Sequence, residues 1–410
     1  MIDYPNYLNK IFYKLLQNNA HIIIVGGYVR DFLLHNNAQA SKDIDIEIYN
    51  ISSYEKLDTL LKEFGKVNSV GKSFGVCKLS LANIDLDFTL PRIDSKVASG
   101  HKGFEVEVKK DLDFSEASRR RDFTMNAIGF DVFKKEILDP HNGVKDLEKK
   151  ILKMVDAKTF VDDPLRVLRA VQFCARFELK MDANLFNLCS QMIKKDMLLE
   201  LPKERVYGEI KKLLLKSKRP SIGFKLLNKL KATIKIEANL FEVLDALANE
   251  NITNIKTKEV LMLVLLSYKQ DLEQTKKFIS KLSNEIKLAS RVSALVVNLP
   301  LALDLTKKEF SDYEVFKLAT LVNIEEIFTL LKVIYGVDNK LYLRAKELGI
   351  LNTKLPAIIK GRDLISLGLN PSRKFKTILD ASYDAQMQGV FQTSSEAKEW
   401  LLANHLRLSV

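Results

Sequence analysis

The stretch HIIIVGGYVRDFLLH at His21–His35, with KDIDIEIYN close behind it at Lys42–Asn50, decides how this chain is read. His21–Val25 is a β-branched run that halts at Gly26–Gly27, which predicts a buried strand closing in a turn. Tyr28–His35 has helical spacing, and Asp43–Tyr49 alternates polar with apolar residues as a half-buried strand does. Working outward, Val76–Leu81 and Ile84–Leu90 flank Ala82–Asn83 and predict a hairpin. From Leu152 onward apolar residues recur at helical spacing, broken only by Gly and Pro. The expected organisation is an α/β head followed by an all-helical remainder. We divide the chain at 1–150, 151–220, 221–340 and 341–410, the last three segments being helical.

Asp43 and Asp45 are two residues apart on a predicted strand, so both side chains leave one face. Carboxylates so placed can hold divalent ions side by side, the arrangement that two-metal phosphoryl transfer requires. Asp85 and Asp87 form a second same-face pair on the next hairpin; either can supply a third ligand, and Asp87 is preferred. The plainer alternative is that alternating acids, Glu47 among them, solvate an exposed sheet face. For an isolated DxD that alternative prevails. Gly26–Gly27 ends a strand just before a helix, where glycine lets backbone approach a phosphate and the helix start offers free N–H groups. Arg30, about one turn in, reaches the same oxyanion. Its alternative is a tight strand–helix connection with Arg30 paired to a surface acid.

The bulk numbers bound the function. With 410 residues the chain exceeds one compact core. Its 47% hydrophobic and 28% charged residues are those of a soluble globular protein. No run approaches the roughly 18 consecutive apolar residues of a membrane span. The opening MIDYPNYLNK lacks the basic-then-apolar order of a signal peptide, so a cytoplasmic protein is expected. Cys77, Cys174 and Cys189 form no CxxC pair, which points to small buried hydrophobes and not to zinc or disulfides. A net charge of +12 and a pI near 9.2 favour a polyanionic partner, nucleic acid or an acidic membrane face.

The run GGYVRDFLL…KDIDIEIYN resembles the signature of the class II (bacterial-type) tRNA nucleotidyltransferases and poly(A) polymerases. Further motifs follow in that family's order: RRRDFTMNAI at Arg119–Ile128, DPHNGVKDL at Asp139–Leu147, DDPLRVLRAVQF at Asp162–Phe173 and KERVYGEI at Lys203–Ile210. The likeness covers about the first half of the chain and loosens beyond Ile210, although GRDLISLGL at Gly361–Leu369 is similar to the tail of bacterial members. It implies an α+β fold, a nucleotidyltransferase head with a mixed β-sheet, then an all-helical neck, body and tail. It implies that Asp43 and Asp45 hold Mg²⁺, with Asp87 beside them. Gly26, Gly27, Arg30 and Arg121 would contact the nucleoside triphosphate. Standing alone, the run Arg119–Arg121 reads as a solvated helix face.

Pro164 suits the first turn of a helix, which makes Asp163 a natural N-cap. Arg166, Arg169, Phe173 and Arg176 then share one face, and it is unusually basic. The resemblance implies that Asp163 and Arg166 act as a protein template. Cytosine and adenine both present an exocyclic amine beside a ring-nitrogen acceptor, so an aspartate acceptor and an arginine donor fit either base. Uracil and guanine would set an acceptor against the aspartate, at about a few kcal/mol in a buried site. Arg169 would lie one turn further on, near the base or the phosphates. Asp162 stands where the family usually has Glu. Some members also carry a histidine-dependent HD phosphohydrolase domain; no histidine occurs between His141 and His405, so none is expected here. The expected activity is addition of C and A from CTP and ATP to the 3′ end of tRNA. A poly(A) polymerase or A-adding enzyme of the same fold, and a non-catalytic RNA-binding protein, are the alternatives. Arg373, Lys374 and Lys376 form a candidate cluster for RNA phosphates, or else a solvated helix face.

Overall fold

A computed structural model describes residues 2–35, 44–68, 76–81, 84–96, 104–109, 112–232 and 237–405. The chain divides into two compact units, Met1–Ala238 and Asn239–Val410. The first opens with α1 (Leu8–Gln17), β1 (His21–Val25), α2 (Gly27–His35), β2 (Ile44–Tyr49) and α3 (Tyr54–Lys62). Next come β3 (Lys66–Asn68), β4 (Val76–Leu81), β5 (Ile84–Thr89), β6 (Arg92–Lys96), β7 (Phe104–Val108) and α4 (Phe114–Ser118). β8 (Gly129–Asp131), β9 (Glu136–Leu138) and α5 (Gly143–Glu148) follow. Seven strands make one sheet in the order β3-β4-β5-β2-β1-β8-β9, and β6 and β7 pair separately. β2 is parallel to β5 and antiparallel to β1, so the sheet is mixed. β4 and β5 pair antiparallel with Leu81 opposite Ile84, as the expected hairpin requires; Ala82–Asn83 lie outside the described residues.

β2 is central because its sequence tolerates burial. Ile44, Ile46 and Ile48 are buried with Ile22 and Ile24 of β1, and α1, α2 and α3 pack on the sheet. On the opposite parity, Ile23, Val25 and Tyr49 form a cluster with Phe114 and Ala117 of α4. Tyr49 is therefore sealed while Asp45, two pleats along the same face, is exposed. The alternation of Asp43–Tyr49 had predicted a half-buried strand; along the described part only Asp45 is open.

The segment Asp139–Leu147 is a brace. Both Asp139 carboxylate oxygens accept from the start of α5, from Gly143 N at 2.6 Å and Val144 N at 3.0 Å. Thr124 Oγ1 donates to Asp146 Oδ2 at 2.8 Å. Gly143 lies so close that a Cβ there would sit 2.2 Å from Thr124 O, which no neighbouring backbone can absorb.

After β10 (Ile151–Leu152) and α6 (Ala157–Phe160), α7 (Leu165–Arg176) leads into β11 (Lys180–Met181), α8 (Ala183–Lys194), α9 (Lys203–Lys216) and α10 (Ser221–Lys229). β10 and β11 pair in parallel, an exception to the all-helical expectation; two-residue strands are too short to show a period. α7 packs on both α9 and α10. The second unit runs from α11 (Leu240–Asn249) to α20 (Ser394–Asn404), and among its described residues the regular structure is helical. Its helix Ile286–Thr306 is long and apolar enough to cross a membrane by composition alone, yet it carries Lys287, Arg291 and Asp304 and buries Val292, Leu295, Val296 and Leu299. Cys77, Cys174 and Cys189 are buried and unbridged.

Gly143→Ala is expected to lower the stability of the first unit by about 2–3 kcal/mol, because the overlap is with backbone and cannot be relieved by a rotamer. Denaturant titration monitored by circular dichroism measures it; a variant as stable as the parent would remove the brace.

Candidate active site

Gly26 ends β1 with φ +73°, a conformation that suits glycine. Its N–H donates to Ile128 O at 3.2 Å, and its carbonyl accepts from Arg30 N at 3.0 Å to start α2. A Cβ on Gly26 would lie 2.9 Å from Arg121 Nη1 and 3.5 Å from Asp45 Oδ2. The turn, the arginine and the exposed carboxylate therefore converge on one spot.

Asp45 is paired with Val25 across the antiparallel ladder and with Asp87 across the parallel one. Paired residues on neighbouring strands share a face, so the two carboxylates stand side by side. Asp87 Oδ1 is buried without a hydrogen-bond partner, and Lys78 Nζ stands 4.0 Å away. Asp43 lies outside the described residues; among the described ones no cluster of three metal-ligating side chains occurs. A hard-oxygen pair with one orphaned buried oxygen is a donor set that fits Mg²⁺.

Arg30 is buried, and each of its three guanidinium nitrogens donates a hydrogen bond. Its Nε and Nη2 donate to Asp31 Oδ1 at 2.8 and 2.6 Å, and Nη1 donates to Asn126 Oδ1 at 2.6 Å. The guanidinium lies over the rings of Phe173 and Phe177, 5.3 and 4.7 Å from their centroids. It does pair with an acid, but a buried neighbour and not a surface one. Burial lowers its pKa, with Asp31 opposing.

Glu47 corrects the reading of β2 as a solvated acidic face. It is 0% exposed. Its Oε1 accepts from Arg121 Nη2 at 2.8 Å and from Arg120 Nη2 at 2.9 Å, and its Oε2 accepts from Tyr49 OH at 2.9 Å. Burial alone would raise its pKa; Arg121 and Arg120 hold it below the ordinary carboxyl value. Of the arginine run, Arg120 and Arg121 are likewise turned inward onto Glu47, while Arg119 is exposed.

The basic face of α7 turns toward the head. Asp122 Oδ2 accepts from Arg169 Nε at 2.7 Å and pairs with its Nη2 at 2.6 Å, while Oδ1 accepts from Phe123 N and Asn126 Nδ2. Burial would raise the Asp122 pKa, but Arg169 and Asn126 lower it below the ordinary value. Arg166 donates from Nη1 to Thr159 O at 2.8 Å and from Nη2 to Arg120 O at 2.6 Å. Arg176 Nη2 approaches Asp31 Oδ2 at 3.7 Å. Asp163 accepts from Leu165 N at 3.1 Å, performing the expected capping, and its Oδ2 accepts from Arg205 Nη2 of α9 at 3.0 Å. Asp122, Asn126, Glu47 and Arg205 escaped assignment from the sequence, although a run of arginines meant for a protein interior already demanded anions.

Residues 22–153 match the family model described as the poly A polymerase head domain. Among curated relatives, the Multifunctional CCA protein of Stenotrophomonas maltophilia is 33% identical over 210 residues, 50% of this chain and 48% of that protein. The CCA-adding enzyme of Buchnera aphidicola is 33% identical over 223 residues, 54% and 51% of the two chains. The chain thus spans about half the length of the curated relatives it matches. Among solved structures, the Bacillus stearothermophilus CCA-adding enzyme in complex with CTP superposes with a TM-score of 0.75 at 22% identity, covering 98% of each chain. The Thermotoga maritima CCA-adding enzyme complexed with tRNA has a TM-score of 0.68 at 22% identity, covering 98% of this chain and 96% of that one. The α+β fold of a mixed-sheet head followed by a mostly helical remainder is therefore the fold of the CCA-adding enzymes.

Because the folded-state pKa of Asp122 is depressed, its stabilisation is present above the unfolded carboxyl pKa near ~4 and is lost as pH falls below that. Asp122→Asn should therefore destabilise the protein at pH 7 by about 2–3 kcal/mol and flatten the acid limb of stability against pH. Urea midpoints between pH 3 and 7 test this; an unchanged acid limb would show that Asp122 carries no depressed pKa.

Proposed function

We propose that the chain is a CCA-adding nucleotidyltransferase, which extends the 3′ end of tRNA with C and A from CTP and ATP and releases pyrophosphate. The supporting observation is the pairing of Asp45 with Asp87 in parallel register beside the Gly26 turn and Arg121. Binding alone requires no such carboxylate pair, which weighs against a non-catalytic RNA-binding protein. In this reading Asp43 and Asp45, with Asp87, would hold Mg²⁺. When bound, the metal would neutralise charge at the reacting phosphate and favour ionisation of the attacking hydroxyl. Gly26 and Gly27 bring backbone to the triphosphate, and Arg121 offers it a cation. Arg30, held by Asp31 and Asn126 one turn into α2, keeps a second hydrogen on each of Nη1 and Nη2 and would contact the triphosphate.

Asp163 and Arg166 select the base. Each is held by protein partners, Asp163 by Arg205 and Arg166 by two carbonyls, and this fixes an acceptor and a donor in place before any base arrives. Nη1 and Nη2 of Arg166 each retain a second hydrogen for a ring nitrogen. Arg169, tied to Asp122, joins this neck helix to the head and stands one turn from the template. We assign head, neck, body and tail to 1–150, 151–220, 221–340 and 341–410. The exposed Arg373, Lys374 and Lys376 at the start of the helix Arg373–Met387 would meet tRNA phosphates. A cytoplasmic enzyme with no membrane partner is implied.

Purified protein incubated with Mg²⁺ and tRNA lacking its CCA end should incorporate both CTP and ATP and stop after completing CCA. Long A-tails on unrelated RNA would establish a poly(A) polymerase, and ATP uptake only after CC an A-adding enzyme. Asp45→Ala should reduce turnover by roughly 10²–10³-fold or more with the fold intact; undiminished turnover removes the metal assignment. Asp163→Ala should let UTP and GTP compete, and an unaltered preference for C and A in a four-way competition would end the template role.

A further inference from the structure

The face of β2 that carries Asp45 also carries Glu47, and the two acids have been given opposite tasks. Asp45 is exposed beside Gly26. Glu47 is sealed, and both of its oxygens are occupied by Arg120, Arg121 and Tyr49. It therefore cannot serve as a metal ligand in this arrangement. What it does hold is the guanidinium that lies against the turn. Arg121 Nη2 is anchored on Glu47 Oε1, and this sets Nη1 2.9 Å from where a Gly26 Cβ would be and within the field of Asp45. Arg121 has one other described hydrogen bond, to Asn126 O at a long 3.3 Å, and its Nε is buried without a partner. Glu47 is thus the main anchor of this side chain. One carboxylate thus holds two guanidiniums, Arg120 and Arg121, and Asp45 acts on the second from the open side.

We propose that Glu47 is the positioning residue that fixes Arg121 for the triphosphate, setting affinity for the phosphates common to all nucleotides while leaving the choice of base untouched. The proposal rests on the nucleotidyltransferase reading above. Without Glu47, two mostly buried arginines confront each other and Arg121 swings away from the turn.

The test is equilibrium binding of CTP and of ATP without tRNA, for the wild type, Glu47→Gln, Arg121→Ala and the double variant, each checked by thermal unfolding. Glu47→Gln should weaken both triphosphates alike, by about tenfold, and raise KM more than it lowers kcat. In the Arg121→Ala background the same change should cost less than about twofold, since the two act as a unit. Wild-type affinity in Glu47→Gln, an equal loss in both backgrounds, or a loss for only one base would overturn the proposal. If Glu47→Gln does not fold, Tyr49→Phe removes the bond to Oε2 and keeps every charge; about a threefold loss, absent in the Arg121→Ala background, supports the proposal and no loss overturns it. Wild type that binds both triphosphates but does not extend tRNA refutes the tRNA reading and leaves this test standing; wild type that binds neither refutes both.

Discussion

A guanidinium does not lose its proton inside a protein, so every arginine taken from water must be met by an acid, a carbonyl or an aromatic face. The first unit is organised around that constraint. Arg30, Arg120, Arg121, Arg166 and Arg169 lie between the sheet and α7, and they find four different answers. Arg30 uses Asp31, Asn126 and two phenylalanine rings; Arg169 uses Asp122; Arg166 uses two backbone carbonyls; Arg120 and Arg121 share Glu47. Because these partners come from β2, α2, the 119–126 segment and α7, the charge network also joins the sheet to α7.

Acids and cations in this seam are interleaved, with Asp31, Glu47, Asp122 and Asp163 each set against an arginine. The same arrangement explains why neighbouring acids on one strand differ in role. Asp45 faces the open end of the sheet, where Asp87 stands beside it, whereas Glu47 lies one pleat deeper, beneath the arginines. The brace built by Asp139, Gly143 and Asp146 on Thr124 holds the arginine-bearing segment at the height where it can reach both.

Much of the head was legible in the chain. A β-branched run that stops at two glycines can do little else than end in a turn, and alternation over Asp43–Tyr49 permits one strand and one choice of faces. The N-cap role of Asp163 followed from Pro164 alone. Glu47, Asp122 and Arg205 were not legible, because an acid two residues along a strand looks the same whether water or an arginine lies above it. The short β10–β11 pair was missed for a simpler reason: two residues have no period.

The amino-acid order by itself determined which side chains share a face, where the backbone must turn, and that a helical remainder follows a stretch of strands and helices. These are properties of local geometry, set by a repeat of two or of 3.6 residues. Only the tertiary structure decided which charges are buried and with whom. That Arg169 meets Asp122, that Arg205 meets Asp163, and that Glu47 serves arginines and not solvent depends on segments far apart in the chain. The energy of a charge is set by its surroundings in space, and no local pattern encodes them.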